Sequence, residues 1–178
     1  MQKVLLHACC ATCGGYCIEK LIELDYEPIL YFYNPNIFPP EEFMKRFREL
    51  EKYCAKKKLE LIIDKQDATV WYDYIAGLEE EPERGKRCDR CFELRLFQTA
   101  AKAVKLGIDN FTTTLTVSPH KNSKSIISIG EEIGKKFEIN FLPIDFKKQD
   151  GFLKTMQIAK RENFYRQSYC GCEFSIYN

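Results

Sequence analysis

The stretch KVLLHACCATCGG, Lys3 to Gly15, runs from a short apolar segment straight into three cysteines and a glycine pair. Lys3 to Ala8 has the length and composition of a buried strand. From Cys13 to Asp25 the residues Ile18, Leu21 and Ile22 fall at helical spacing. A strand therefore feeds a helix through a cysteine-rich break, and the same alternation continues along the chain.

Pro28 to Tyr33 (PILYFY) is β-branched and aromatic and stops at the turn signal Asn34-Pro35. Pro40 to Lys58 reads as a helix, with Phe43, Phe47, Leu50, Tyr53 and Cys54 on one face. Leu59 to Asp64 is a third strand and Ala68 to Leu78 a helix. A charged turn, Glu79 to Lys86, precedes a long helix from about Cys88 to Lys105 that ends at Gly107. Phe111 to Val117 reads as a strand ending at Ser118-Pro119-His120, Asn122 to Lys136 as a helix, Ile139 to Phe146 as a strand and Gly151 to Glu162 as the last helix. The alternation predicts a single three-layer, doubly wound α/β domain over residues 1–178 with a mostly parallel five-stranded sheet. An irregular, aromatic tail over about 163–178 is expected to pack near the site.

In such sheets ligands bind beyond the carboxyl ends of the strands. The unusual residues sit there. The first strand runs into Cys9 and Cys10, the second into Asn34 and Asn36, the fourth into His120.

Bulk composition excludes several classes. With 45% hydrophobic and 30% charged residues the chain is globular, and no apolar run approaches a membrane span. The opening MQKVLLHACC turns polar too soon for a signal peptide. The expectation is a cytoplasmic, monomeric protein away from any membrane. A net charge of +1 gives no global basic field, so contact with nucleic acid has to use a local patch.

Eight of the nine cysteines fall in three groups: Cys9, Cys10, Cys13 and Cys17; Cys88 and Cys91; Cys170 and Cys172. In a reducing compartment such clusters point to metal or redox chemistry before disulfides. Cys9, Cys10, Cys88 and Cys91 are the candidates for one metal centre. The C-x-x-C at a helix start puts two thiolates beside the positive helix end, and two more arrive from a strand end. Four thiolates suit zinc or an iron–sulfur cluster, and adjacent cysteines suit a cluster better than a closed zinc site. Packing of Cys9 and Cys10 as small apolar residues is the bland alternative. Cys13 is either a ligand to a cluster or extra metal, or a first-turn residue without a role; Cys17 and Cys54 read as core. Cys170-Gly171-Cys172 suits a dithiol whose strained, reducible disulfide cycles, with metal ligation as the competitor. His120 is a candidate proton donor. His7, inside the first strand, reads as a hydrogen-bonded core residue. The run Lys160 to Tyr169 interleaves aromatic and basic residues, as RNA-contacting surfaces do, or is simply a solvated surface. The place after the first strand keeps the glycine pair Gly14-Gly15 but lacks, in that order, the acidic and hydroxyl residues of the Ser-Gly-Gly-x-Asp-Ser loop of nucleotide-activating enzymes of related architecture, so the pair alone is poor evidence for phosphate binding.

Several stretches together resemble one family along nearly the whole chain. They are His7 to Ala11, Tyr33 to Ile37, Arg87-Cys88 with Cys91-Phe92, Phe111 to Leu115, Ser118 to Lys121, and Phe164 to Gln167 with Tyr169 to Cys172. The chain is similar to epoxyqueuosine reductase of the QueH, cobalamin-independent type. The resemblance implies a Rossmann-like fold of the nucleotide α-hydrolase kind and reduction of an epoxide to an alkene on a modified anticodon nucleoside in tRNA. It implies an iron–sulfur cluster, 4Fe-4S in type, held by Cys9, Cys10, Cys88 and Cys91, and a redox pair at Cys170 and Cys172. An additional iron would take Cys13 as its first candidate ligand, and an unidentified electron donor would recharge the site. Asn34, Asn36 and Arg166 are the expected substrate contacts. Thr12 departs from the pattern, where proline is expected. An ATP-dependent, thiolase-like tRNA-modifying enzyme and a zinc-stabilised RNA-binding module are the competing readings.

Overall fold

The computed structural model describes residues 1–176. Its order is β1 (Gln2–His7), α1 (Ala11–Glu23), β2 (Tyr26–Phe32), α2 (Pro40–Lys57), β3 (Leu61–Ile63), α3 (Ala68–Ile75), α4 (Lys86–Leu106), β4 (Asn110–Thr113), α5 (Ser123–Phe137), β5 (Asn140–Phe141) and α6 (Gly151–Arg161). The five strands form one sheet in the order β3-β2-β1-β4-β5. Every pairing is parallel, with Leu5 opposite both Ile29 and Phe111. The order reverses between β1 and β4, which makes the carboxyl end of β1 the topological switch point.

Helices cover both faces. α1 packs on α2 and α6, while α4 packs on α3 and α5. The middle strands are buried on both sides, so Val4, Leu5, Leu6, Leu30, Tyr31 and Phe32 are fully enclosed. α1 and α6 approach closely at Gly15, where a Cβ would lie 2.7 Å from Ile158 Cγ2.

Three strands are shorter than their sequences suggest; Leu59 to Asp64 pairs only over Leu61–Ile63. The β-branched run Phe111 to Val117 stays extended only to Thr113. The Thr113 hydroxyl then accepts from the Leu115 amide at 3.1 Å, and Thr114–Val117 coil into a 3-10 turn. Threonine hydroxyls compete with the ladder for backbone groups. Residues 139–146 pair as a strand only at Asn140–Phe141, because Pro143 has no N–H to give. Beyond that point Thr112 and Thr116 donate their hydroxyls to the Leu142 and Ile144 carbonyls, each at 2.9 Å. The chain keeps its direction with side-chain bonds where the ladder stops. The tail carries one short 3-10 turn, Glu173–Ser175. Its last two residues, 177 and 178, lie outside the described part.

Candidate active site: two sulfur groups at the carboxyl edge

β1 delivers Cys9 and Cys10 to the switch point, and α1 begins at once. Cys10 caps that helix: its sulfur accepts from the Cys13 amide at 3.4 Å. The cap geometry turns Cys13 back over Cys10. Cys9 and Cys10 sulfurs stand 3.9 Å apart, and the sulfurs of Cys9, Cys10 and Cys13 all lie within 4.8 Å of one another. Among the described residues no other group of three or more Cys, His, Asp or Glu ligands is so close. A tetrahedral ion with metal–sulfur bonds of about 2.3 Å spaces its sulfurs about 3.8 Å apart, so this trio fits a thiophilic metal. Donation from the Cys10 and Cys13 thiols pulls the Cys9 thiol well below its ordinary range, with Lys121 and Arg46 assisting. Cys10 and Cys13 move upward; Cys13 does so because it hydrogen-bonds to the other two sulfurs in a buried place. Two neighbouring thiols thus favour the charged form of Cys9. A metal would replace those shared protons.

Cys88 and Cys91 stand on the first two turns of α4, outside that trio. The Cys88 sulfur accepts from the Arg84 amide at 3.2 Å. Burial pushes the Cys88 thiol up to about 11, and Cys170, Cys91 and Cys172 add to the rise. Burial also raises Cys91 and Cys172, and each is raised further by Cys170. These four sulfurs form a second electrostatic neighbourhood. Arg95 and Lys121 interact with both groups: Arg95 responds to Cys91, Cys170, Cys9 and Cys172, and Lys121 to Cys170, Cys9 and Cys13. For both cations burial opposes the charge, the sulfurs outweigh it, and the net shift is upward.

The tail is tied down by side chains. Arg46 of α2 is fully buried, pairs with Glu42 at 2.6 Å and donates to the carbonyls of Cys170 at 3.0 Å and Tyr169 at 3.2 Å. The Tyr165 hydroxyl donates to the same Glu42 at 3.0 Å. Gly171 adopts φ +136, open to glycine alone, and its carbonyl accepts from the Phe38 amide at 2.8 Å. The Tyr169 hydroxyl donates to the Phe38 carbonyl. Gln167 reaches back to the Cys10 sulfur at 3.3 Å. Thr12, at the expected proline, donates its hydroxyl to the Tyr165 carbonyl at 2.8 Å, a bond proline cannot make.

A cleft of about 340 Å³ opens over this assembly, lined among others by Thr12, Cys13, His120, Arg166, Tyr169 and Cys170. A smaller recess beside it is lined by Cys88, His120, Lys121 and Cys170. His120 is exposed on the rim, where its backbone amide binds the Ser118 hydroxyl at 3.3 Å. Asn34 and Asn36 do not reach the cleft wall. Asn34 is fully buried, donates to the Ala8 carbonyl at 2.9 Å and lies 3.4 Å from Arg95. It braces the strand end that carries the cysteines. Asn36 is buried beside Gly171. His7 joins three strands, bonded to the Thr113 hydroxyl at 3.0 Å and the Tyr33 carbonyl at 3.1 Å. Burial, then the Arg95 charge, hold it neutral with a pKa of about 4.

Three buried polar atoms around the cysteines have no protein partner: Asn36 Oδ1, Arg95 Nη2 and Gln167 Oε1. Buried polar groups are ordinarily satisfied, so this gathering marks a place built for something else. With soft thiolates and three buried or half-buried cations, the donor set fits an anionic iron–sulfur group. Sequence reasoning missed Arg46, Arg95, Gln167 and Lys121. Arg46 and Arg95 lie on helix faces with apolar neighbours, and a charged residue at an i, i+3 or i+4 core position was the signal available.

Fold and site together define a doubly wound α/β protein with a cysteine cluster at its switch point that could hold a metal ion. Residues 4–178 match the family described as Epoxyqueuosine reductase QueH, and the chain belongs to that family. Curated relatives of that name include those of Streptococcus pyogenes serotype M1, 39% identical over 97% of this chain and 70% of the relative, and Haemophilus influenzae, 37% identical over 98% and 72%. The Thermotoga maritima relative is 34% identical over 99% and 91%. Among solved structures, the fold is similar to one described as a “predicted subunit of tRNA methyltransferase” from Methanocaldococcus jannaschii. The TM-score is 0.63 at 12% identity, covering 94% of each chain. It is also similar to the U34-tRNA thiolase NcsA from Methanococcus maripaludis, solved with its [4Fe-4S] cluster. Here the TM-score is 0.60 at 13% identity, over 97% of this chain and 61% of the other. At these identities the structures speak for the fold alone.

Proposed function

We propose that this chain is an oxidoreductase that converts epoxyqueuosine in tRNA to queuosine. The observation that carries the reading is the family match over residues 4–178, which takes in all three cysteine groups. In the reaction both epoxide C–O bonds break and an alkene forms. The oxygen leaves as water, which consumes two electrons and two protons.

Cys9, Cys10, Cys88 and Cys91 would hold a 4Fe-4S cluster, and Cys13, whose sulfur lies with those of Cys9 and Cys10, would hold an additional iron. Bound there, the group supplies electrons singly and a Lewis-acidic iron. Arg46, Arg95 and Lys121 offset the thiolate charge. Cys170 and Cys172 act as the two-electron store: oxidation of the dithiol to the disulfide releases two electrons and two protons, and an external electron donor restores it. His120 donates a proton to the departing oxygen from the rim. Arg166 meets the nucleoside from the solvent side, and Asn34 and Asn36 act from beneath by fixing the strand ends. Among the described residues no helix is long and apolar enough to cross a membrane. A tRNA substrate assigns the work to the cytoplasm.

The test is direct. Protein prepared without oxygen is analysed for iron and sulfide, then incubated with a reductant and epoxyqueuosine-bearing tRNA, and the nucleosides are separated and weighed. Iron-loaded protein that leaves the epoxide intact under reducing conditions defeats the reading. Activity with stoichiometric zinc and no iron defeats the metal assignment alone.

A further inference from the structure

Phe152 is 39% exposed on the second residue of α6, and Met156 follows four positions later on the same helix face. Both line the cleft that holds Cys13, Cys170 and His120. Neither side chain belongs to the core, and Phe152 makes no ring contact with another aromatic among the described residues. Other parts of the lining are different in kind. Arg166 is exposed and has no ion pair among the described residues, and the Tyr169 ring is fixed by its hydroxyl bond to Phe38 and by Arg46 lying 5.4 Å from its centroid. An apolar strip therefore shares with a fixed ring and a free guanidinium the wall of a cleft sized for a nucleoside.

We infer that Phe152 and Met156 form a stacking platform for the unstacked base of the substrate nucleoside, and that Tyr169 and Arg166 help enclose it. A nucleobase has apolar faces and a polar edge. The platform takes a face, and Arg166 takes the edge or the flanking phosphate. An exposed aromatic that costs the free protein solvation is explained by a ligand that covers it. Neighbouring Leu153 is more exposed, at 57%, but lies outside the cleft lining. It supplies an internal control.

This inference rests on tRNA being the substrate, and the experiment separates the two. Iron-loaded wild-type protein and the variants Phe152→Ala, Phe152→Trp, Leu153→Ala and Arg166→Ala are titrated with epoxyqueuosine-bearing tRNA at low and moderate salt. Iron content is measured on the same samples. Phe152→Ala is expected to weaken binding by roughly tenfold, equally at both salt concentrations, because stacking contributes on the order of 1–3 kcal/mol per base and is not ionic. Phe152→Trp and Leu153→Ala should stay within about twofold of wild type. Arg166→Ala should flatten the salt dependence by about one phosphate contact. Iron should be unchanged throughout. Binding by Phe152→Ala within twofold of wild type, with wild type active, overturns the platform and leaves the proposed function standing. Equal losses in Phe152→Ala and Leu153→Ala overturn it as well, since that pattern reports damage to α6. Wild-type protein that does not bind the tRNA takes down both.

Discussion

The two ends of the chain bring cysteines to the same cleft by opposite means. Cys9, Cys10 and Cys13 hang on the most constrained part of the fold. β1 is paired on both sides, α1 starts on Cys10 itself, and all three cysteines sit at or below 9% exposure. Cys170 and Cys172 hang on a tail with almost no regular structure, held by Arg46, Gly171, Tyr169 and a few single hydrogen bonds. A backbone ladder in the core opens only at free energies approaching that of global unfolding. A strap of side-chain bonds opens locally at a much lower free energy. The first suits metal ligands, which have to be pre-positioned. The second suits a dithiol that must change geometry as it oxidises and is recharged.

The largest test of that contrast compares Cys10→Ala with Cys170→Ser. Cys10→Ala should remove most of the iron and sulfide and lower turnover by about 10³-fold or more, as loss of one member of a catalytic unit does. Cys170→Ser should keep the iron and still abolish repeated turnover. If iron falls equally in both, the two ends form one ligand set and the contrast fails. His120→Gln comes next. A positioned acid contributes about 10²-fold to turnover, so kcat should drop by that order with tRNA binding and iron intact. A drop below threefold would remove His120 from the chemistry.

Gly171→Ala sharpens the comparison from the tail side. The φ of +136 costs a non-glycine residue about 1–3 kcal/mol, and a Cβ there would meet Arg46 Nη1 at 3.1 Å. The strap should loosen, seen as faster hydrogen exchange at the Phe38 amide, with turnover reduced about tenfold. Exchange in β1 should not change. Uniform loosening of β1 and the tail would mean that they do not differ in local stability. The smallest effect is expected at Gln167→Ala. It removes one N–H···S bond to Cys10, on the order of 1 kcal/mol, or roughly fivefold in any equilibrium it biases. The cluster absorption spectrum is the readout. An unchanged spectrum and an unchanged rate would detach the tail from the N-terminal group.

The fold was legible because its signals are local. Apolar runs of strand length alternate with helical spacing from Lys3 to Glu162, and every predicted helix lies within a few residues of its observed place. Two of the errors share a cause. Phe111 to Val117 and Ile139 to Phe146 have strand-like side chains, but Thr113 and Pro143 spend or lack the backbone groups a ladder needs.

By itself, the sequence determined the doubly wound α/β class and the three cysteine groups, because these depend on periodicity and on spacing along the chain. Tertiary structure alone decided that Cys13 joins Cys9 and Cys10, and that Cys88 and Cys91 feel the charge of Cys170. It alone decided that Asn34 is a buried brace and that Arg46, Arg95 and Lys121 supply the positive charge. The physical reason is range. Coulombic and hydrogen-bonding partners are chosen by distance in space, and Arg46 meets Cys170 across 124 positions of chain.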